Sequence, residues 1–179
     1  MHLQTQATDE WRIPEAELSV LLAEAVESDL SSIDISEAEL PHIDLSHIKL
    51  GEADLSYANL QGALLQGSDL AGAVAVSVNL STSKLCQASL VSVNLCGANM
   101  RHASLRGADL TSASLMWADL HKATLHKANL RNANLCWANL TDSNLTDANL
   151  QGVKYNMHTH WPNGFEPPLA TAHFVANFF

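Results

Sequence analysis

From residue 30 to residue 150 every fifth position is apolar, and the position two before it is small or apolar. Counting these centres from Leu30 to Leu150 gives 25, of which 22 are Leu and the others are Ile35, Ala75 and Met100. The residue two before the centre is Ala 16 times and Ser four times, with Ile or Val in the remaining five. A period of five is neither the 3.6 of a helix nor the 2 of a simple strand. Held in register over so long a stretch, it predicts a repeat architecture rather than an ordinary layered domain. The flanks read differently. Residues 13–28 place Leu18, Leu21, Leu22, Ala25 and Val26 at helical spacing, with Pro14, Glu15 and Glu17 suited to a first turn.

The run GANM-RHASL-RGADL-TSASL-MWADL-HKATL-HKANL resembles the pentapeptide-repeat family, whose consensus is A-(D/N)-L-x-x. The resemblance implies an all-β fold, a right-handed quadrilateral parallel β-helix. In such a solenoid four pentapeptides make one square coil, with the central Leu and the small residue pointing inward. Twenty-five repeats at four per coil imply about six coils and, at about 4.8 Å per coil, a rod roughly 30 Å long. Physical chemistry agrees with the composition of such a core. A void or an overfilled site costs roughly 1–3 kcal/mol, so Leu and Ala recur. One coil cannot bury its own apolar face, so stability comes from its neighbours. The Asp or Asn before each Leu bonds locally to turn-like backbone. Asn129, Asn134, Asn139, Asn144 and Asn149 suggest amide ladders between coils.

The chain divides into an N-terminal arm and capping helix (1–28), a repeat region (29–153) and a C-terminal capping tail (154–179). Ile33, Ile43 and Ile48 stand where Ala is usual and suggest a wider first coil, while Ala75 leaves a gap at a Leu position. No extra residue breaks the period, so no loop is expected to protrude between residues 30 and 150. After Leu150 the register fades, with Tyr155 the last residue on it. Tyr155, Thr159, Trp161, Pro162, Gly164, Phe165, Glu166 and Pro167 resemble the closing tail of cyanobacterial pentapeptide-repeat proteins, which implies a cap built on Trp161 and Phe165. Phe174, Val175, Phe178 and Phe179 either finish that cap or join two chains end to end.

Hydrophobic residues make up 47% of the chain but aromatics only 6%, as a narrow Leu/Ala core requires. The net charge of −10 is uneven. Residues 1–60 hold 13 acids and two Lys/Arg, and residues 61–179 hold six acids and seven bases. The N-terminus has neither a basic start nor an apolar run, and no stretch is apolar enough to span a membrane, so a cytoplasmic protein is expected. Cys86, Cys96 and Cys136 each follow a centre and are expected to point outward. Cys96 and Cys136 lie two coils apart, about 10 Å at the strand spacing, too far for a disulfide.

Residues 20 apart share a side of the square. That register predicts an outward stripe of Val76, Cys96, Met116, Trp117, Cys136 and Trp137, with Tyr57 below it. A contiguous exposed apolar patch marks an interface, and Trp and Met are favoured there; the alternative is that the tail folds back over it. Arg101, His102, Arg106, His121, Lys122, His126, Lys127 and Arg131 form a basic patch at similar height, suited to an anionic partner or simply a solvated face. Nucleic acid is disfavoured by the overall acidity and the lack of interleaved aromatics.

No nucleophile elbow, phosphate loop or metalloprotease helix is present. His121 and His126 fall on adjacent sides, so no metal or cofactor is expected. A filled narrow core leaves no concave pocket, and the chain is read as a non-enzymatic protein-interaction scaffold. The family resemblance also implies an alternative, a DNA mimic that binds DNA gyrase. The rod, the net acidity and a C-terminal dimer would suit it. The basic patch and the absence of an inserted loop depart from it.

Overall fold

The computed structural model describes residues 29–167 and the backbone of 173–174. The expected helix at 13–28 and the residues Val175, Phe178 and Phe179 lie outside the described residues. Within them, parallel bridges link each residue before a centre to the one 20 residues on. They run without a break from Asp29–Lys49 to Asn134–Lys154. The coil of 20 residues and the absence of a protruding loop are therefore as expected.

The local cause of each corner is visible in the backbone. The N–H three places after a centre donates to that centre's carbonyl, as Ala53 does to Leu50 at 3.1 Å. The residue two after each centre has φ between +54° and +71° at every corner from Ser32 to Gly152. That is the pattern of a type II turn, which requires a positive φ at its third residue. Most of these corners are not glycine, and each non-glycine one carries a conformational cost of about 1–2 kcal/mol. The cost is offset by stacking: with few exceptions the N–H of that same residue donates to the next coil, as Ser32 does to Gly51 at 2.8 Å.

Four sides result, named here by the outward residue before each centre. Side I carries Asp29, Lys49, Asp69, Ser89, Asp109, Asn129 and Asn149. Side II carries Asp34, Asp54, Val74, Asn94, Ser114, Asn134 and Lys154. Side III carries Glu39, Asn59, Asn79, Asn99, Asp119 and Asn139. Side IV carries Asp44, Leu64, Lys84, Ser104, Thr124 and Asn144. Inside, the centres and small residues form one continuous core, with Leu45 to Leu140 essentially inaccessible.

The irregular inward residues do not break the register. Turn hydrogen bonds are 3.2 Å at Ile33, 3.4 Å at Ile43 and 3.3 Å at Ile48, against 2.9–3.2 Å at the Ala positions from Ala38 to Ala138, and Ser68 at 3.3 Å shows that a branched side chain is not needed for the longer bond. Ala75 is buried between Leu55 and Leu95 of its own side. Val78 in the same coil and Val93 in the next are buried where Ala is usual, and they restore volume beside it.

Past Tyr155 the register slips by one residue: Asn139 pairs with His160, 21 places on. The extra residue is taken up in a turn at 156–160, where the Thr159 hydroxyl donates to the Leu135 carbonyl at 2.9 Å and accepts from the Asn156 N–H at 3.1 Å. Trp161 and Phe165 then pack against the core, stacked on each other at 5.4 Å, with Trp161 edge-on to Tyr155 at 5.6 Å. Two short strands, β1 (Lys154–Tyr155) and β2 (His173–Phe174), pair in parallel and carry the backbone of the final segment onto side II.

Candidate functional site: one corner and one side

The corner between sides II and III stacks Val76, Cys96, Met116 and Cys136 in one column by the 20-residue step. The neighbouring column carries Tyr57, Ser77, Gly97, Trp117 and Trp137. Trp117 and Trp137 stack at 5.3 Å with 24° between their planes. Their rings sit on residues of positive φ, which splays them away from the core. The structure divides this stripe in two. Its upper end is closed, because His158 stacks on Trp137 at 5.9 Å and Asn156 Oδ1 accepts the Trp137 N–H at 3.1 Å.

Cys136 departs from expectation. It is only 3% exposed, because the slipped turn sets the buried Asn156 next above it in the column. Burial pushes its thiol above the ordinary value, with Lys154 acting weakly in the opposite direction. The lower end stays open: Val76, Cys96 and Met116 are half-buried, Trp117 is 56% exposed and Tyr57 is 63% exposed. The contact of the tail therefore reaches only the upper end of the stripe. Residues 156–158 cover the top, and among the described residues no ring stacks on Trp117 from below.

The basic patch is also redistributed. Arg101 turns onto side III and donates to Asp119 at 2.8 Å. Burial works to raise the Asp119 carboxyl, but the Arg101 hydrogen bond, the His121 N–H and the nearby positive charges outweigh it and hold it below the ordinary carboxylate value. His102 and His121 meet edge-on at 6.2 Å. His126 Nδ1 lies 3.1 Å from the Thr146 carbonyl and 4.0 Å from Asp147. Arg131 sits one corner further round, between sides I and II. What remains together flanks side IV: Lys122 on one edge, Arg106 and Lys127 on the other, all exposed and none with an ion pair among the described residues.

Sequence reasoning missed one member of this group. Lys84 stands in the outward column of Ser104 and Thr124 and is exposed. The 20-residue step would have found it, had the outward column been followed as well as the corners.

Beside these features lie recesses without ligating clusters among the described residues. A polar recess of about 490 Å³ on side II is lined by Ser112, Ser114, Asn132, Asn134 and Lys154, without a nucleophile and base in contact. No group of His, Cys, Asp and Glu able to hold a metal occurs among the described residues. All three cysteines are free. No helix among the described residues is long and apolar enough to cross a membrane.

Comparison with known proteins bears on the fold. The family described as pentapeptide repeats matches residues 28–67, 53–90, 88–126 and 118–154, in eight copies. A pentapeptide repeat protein, Rfr23, from the cyanobacterium Cyanothece 51142 is similar at 27% identity, over 80% of this chain and 97% of that one, with a TM-score of 0.58. HetL, a pentapeptide repeat protein involved in heterocyst differentiation regulation in the cyanobacterium Nostoc, is 24% identical over 82% of this chain and 85% of its own, with a TM-score of 0.47. QnrB1, a plasmid-mediated fluoroquinolone resistance protein, has a TM-score of 0.53 at 13% identity, over 82% and 85% of the two chains. That last likeness concerns the fold alone. No curated protein matches the sequence.

Proposed function

The chain belongs to the pentapeptide-repeat family, and from that premise we propose that it is a non-enzymatic interaction scaffold whose protein-contact surface is the open lower half of the aromatic corner. Proteins of this family are generally structural or interaction proteins. One observation carries the choice of surface. Trp117 has one face stacked on Trp137, while below it the column continues through Gly97 and Ser77 to Tyr57. Two small residues thus separate the two exposed aromatics, beside the half-buried Val76 and Cys96 of the neighbouring column. Exposed apolar surface of this kind marks an interface, and a Trp at its edge is the residue type that dominates binding energy.

The test compares proteins captured from a cyanobacterial lysate by the wild-type chain and by Trp117→Glu, with Trp137→Ala as a third bait. Trp117→Glu is expected to lose a partner that wild type retains. Equal capture by wild type and Trp117→Glu would remove the corner from consideration.

The tail is read as the cap of the last coil, supported by the packing of Trp161 and Phe165 on the core and by the β1–β2 pairing within one chain. A C-terminal homodimer through Phe174, Val175, Phe178 and Phe179 is the competing role. Sedimentation of the full chain beside Phe178→Asp/Phe179→Asp separates them, because only a dimer would change mass. The cytoplasm remains the proposed compartment, in keeping with three free thiols.

A DNA mimic acting on gyrase is the second reading, favoured by the rod and the net charge of −10. Side IV argues against it, since Lys84, Arg106, Lys122 and Lys127 sit where a mimic would present acid. Supercoiling by gyrase is expected to be unchanged at micromolar protein; inhibition would reinstate the mimic.

A further inference from the structure

The backbone ladder leaves one N–H per pentapeptide without a partner: that of the residue just after each centre. On most of the surface the Asp or Asn two residues earlier supplies the acceptor. Asp54 Oδ1 takes the Ser56 N–H at 2.9 Å, and Asn139 Oδ1 takes the Thr141 N–H at 3.1 Å. Side IV is the exception. Its outward residues in four successive coils are Leu64, Lys84, Ser104 and Thr124, none of which makes this bond. The N–H groups of Gln66, Cys86, Arg106 and His126 therefore have no acceptor among the described residues. Elsewhere such gaps are isolated, as at Val76 and Met116 on side II or Gly51 and Val91 on side I.

The four open N–H groups form a column with one donor every coil, about 4.8 Å apart. A backbone N–H left without an acceptor is a ready donor to an oxyanion. The unpaired cations gather at the same place: Lys84 in the floor, Lys122 on one edge, Arg106 and Lys127 on the other. Asp142 and Asp147 stand one coil beyond Lys122 and Lys127, and Asp44 lies at the opposite end of the side, so the positive stretch is bounded along the axis. Within the floor the Ser104 hydroxyl contacts the Cys86 thiol at 3.1 Å. Thr124 Oγ1 makes no hydrogen bond among the described residues.

We propose that side IV between Lys84 and Lys127 is a binding site for phosphate groups, held by the stacked N–H donors of Cys86, Arg106 and His126 and by Arg106, Lys122 and Lys127. A phosphate presents oxygens in several directions at once. It can accept from a backbone column and from cations at both edges of the side, where a flat carboxylate addresses fewer of them. The site is separate from the aromatic corner, which lies between sides II and III, so it stands or falls independently of the scaffold surface.

The family's own repeat chemistry provides the decisive variant. Ser104→Asn with Thr124→Asn puts the usual capping residue at two places and closes the N–H groups of Arg106 and His126 without altering charge. Inorganic pyrophosphate is titrated at low salt into the ¹⁵N-labelled full chain. The wild type is expected to show saturable shifts at Cys86, Arg106 and His126, with half-saturation near about 1 mM. The Asn pair is expected to bind about tenfold more weakly, and so is Arg106→Gln/Lys127→Gln. Ser114→Asn, the same change on side II, should bind as wild type does, and unchanged ladder N–H signals report that each variant is folded. No saturable shift in the wild type would overturn the proposal. So would an Asn pair that binds as tightly as wild type, since the backbone donors would then play no part.

Discussion

Sides III and IV enclose the same core and carry the same backbone ladder, but their outer surfaces have opposite characters. On side III each outward residue from Glu39 to Asn139 bonds to at least one neighbour in its column. Asn59 donates to Glu39 at 2.7 Å, Asn79 to Asn59 at 3.0 Å and Asn99 to Asn79 at 3.2 Å; two coils above Asn99, Asn139 donates to Asp119 at 3.0 Å. The same oxygens cap the N–H groups of Gln61, Ser81, Arg101, His121 and Thr141. Side III therefore satisfies its own polar groups. Side IV leaves four N–H groups and four cations open. The inward positions fix the coil, and the single outward residue before each centre decides whether a side caps its own N–H groups or leaves them open among the described residues.

From the inside the two sides should be indistinguishable, which gives the largest expected effects. Met100 on side III and Leu105 on side IV are both fully buried. Met100→Ala and Leu105→Ala are each expected to lose about 2–5 kcal/mol in urea unfolding. A large difference between them would mean that one side carries more of the core than the register implies.

From the outside the sides should separate. Asn79→Leu removes the acceptor of the Ser81 N–H and both amide contacts along the column, an expected loss of about 1–3 kcal/mol. Thr124→Leu on side IV removes no hydrogen bond among the described residues and should stay within about 0.5 kcal/mol of wild type. Equal losses would contradict the contrast.

How much of this was legible in the sequence follows from which positions face inward. The five-residue period marks Leu95 or Ala98 as inward by volume, so the unbroken register could be read directly, while the square coil of 20 residues came from the resemblance to the pentapeptide-repeat family. The outward amide ladder was legible in kind and only partly in place: Asn129 and Asn139 do bond one coil down, to Asp109 and Asp119. Consecutive residues such as Asn144 and Asn149 lie on adjacent sides, and the ladder instead climbs Asn59, Asn79 and Asn99 in steps of 20. The burial of Cys136 was not legible. It depends on one inserted residue beyond Tyr155, and nothing in the pentapeptide pattern says where a turn will absorb it. Arg101 belonged to a positive patch by sequence and to Asp119 by geometry, because a long side chain chooses between two sides at every corner.

Acid sharpens the contrast further. The Asp119 carboxyl is held below its ordinary value of 3.8. A depressed carboxylate contributes stability that is present above the unfolded value and lost as pH falls through the folded one. Asp119→Asn keeps an acceptor for the His121 N–H but has no charge to protonate. Below about pH 3.8 its stability should fall less steeply with pH than that of the wild type, as measured by urea midpoints across acid buffers. Identical slopes would show that the Arg101 pair contributes nothing to the closure of side III.

The smallest effect tests how completely side III is closed. Glu39 is its one outward residue, up to Asn139, that is neither Asp nor Asn, and its longer side chain reaches Asn59. The N–H it would have to cap belongs to residue 41, which is Pro and has none. Proline suits the second position of a type II turn, so side III avoids an open donor by deleting it. Pro41→Ala creates that donor and frees the unfolded chain, with an expected loss of about 0.4–1 kcal/mol. Adding Glu39→Asn should return part of the loss by capping the new N–H, although it also gives up the Asn59 contact. Should Pro41→Ala cost nothing, an open N–H at a corner would be harmless in itself. The four open groups on side IV would then need no ligand to explain their persistence, and the case for that side would rest on its cations.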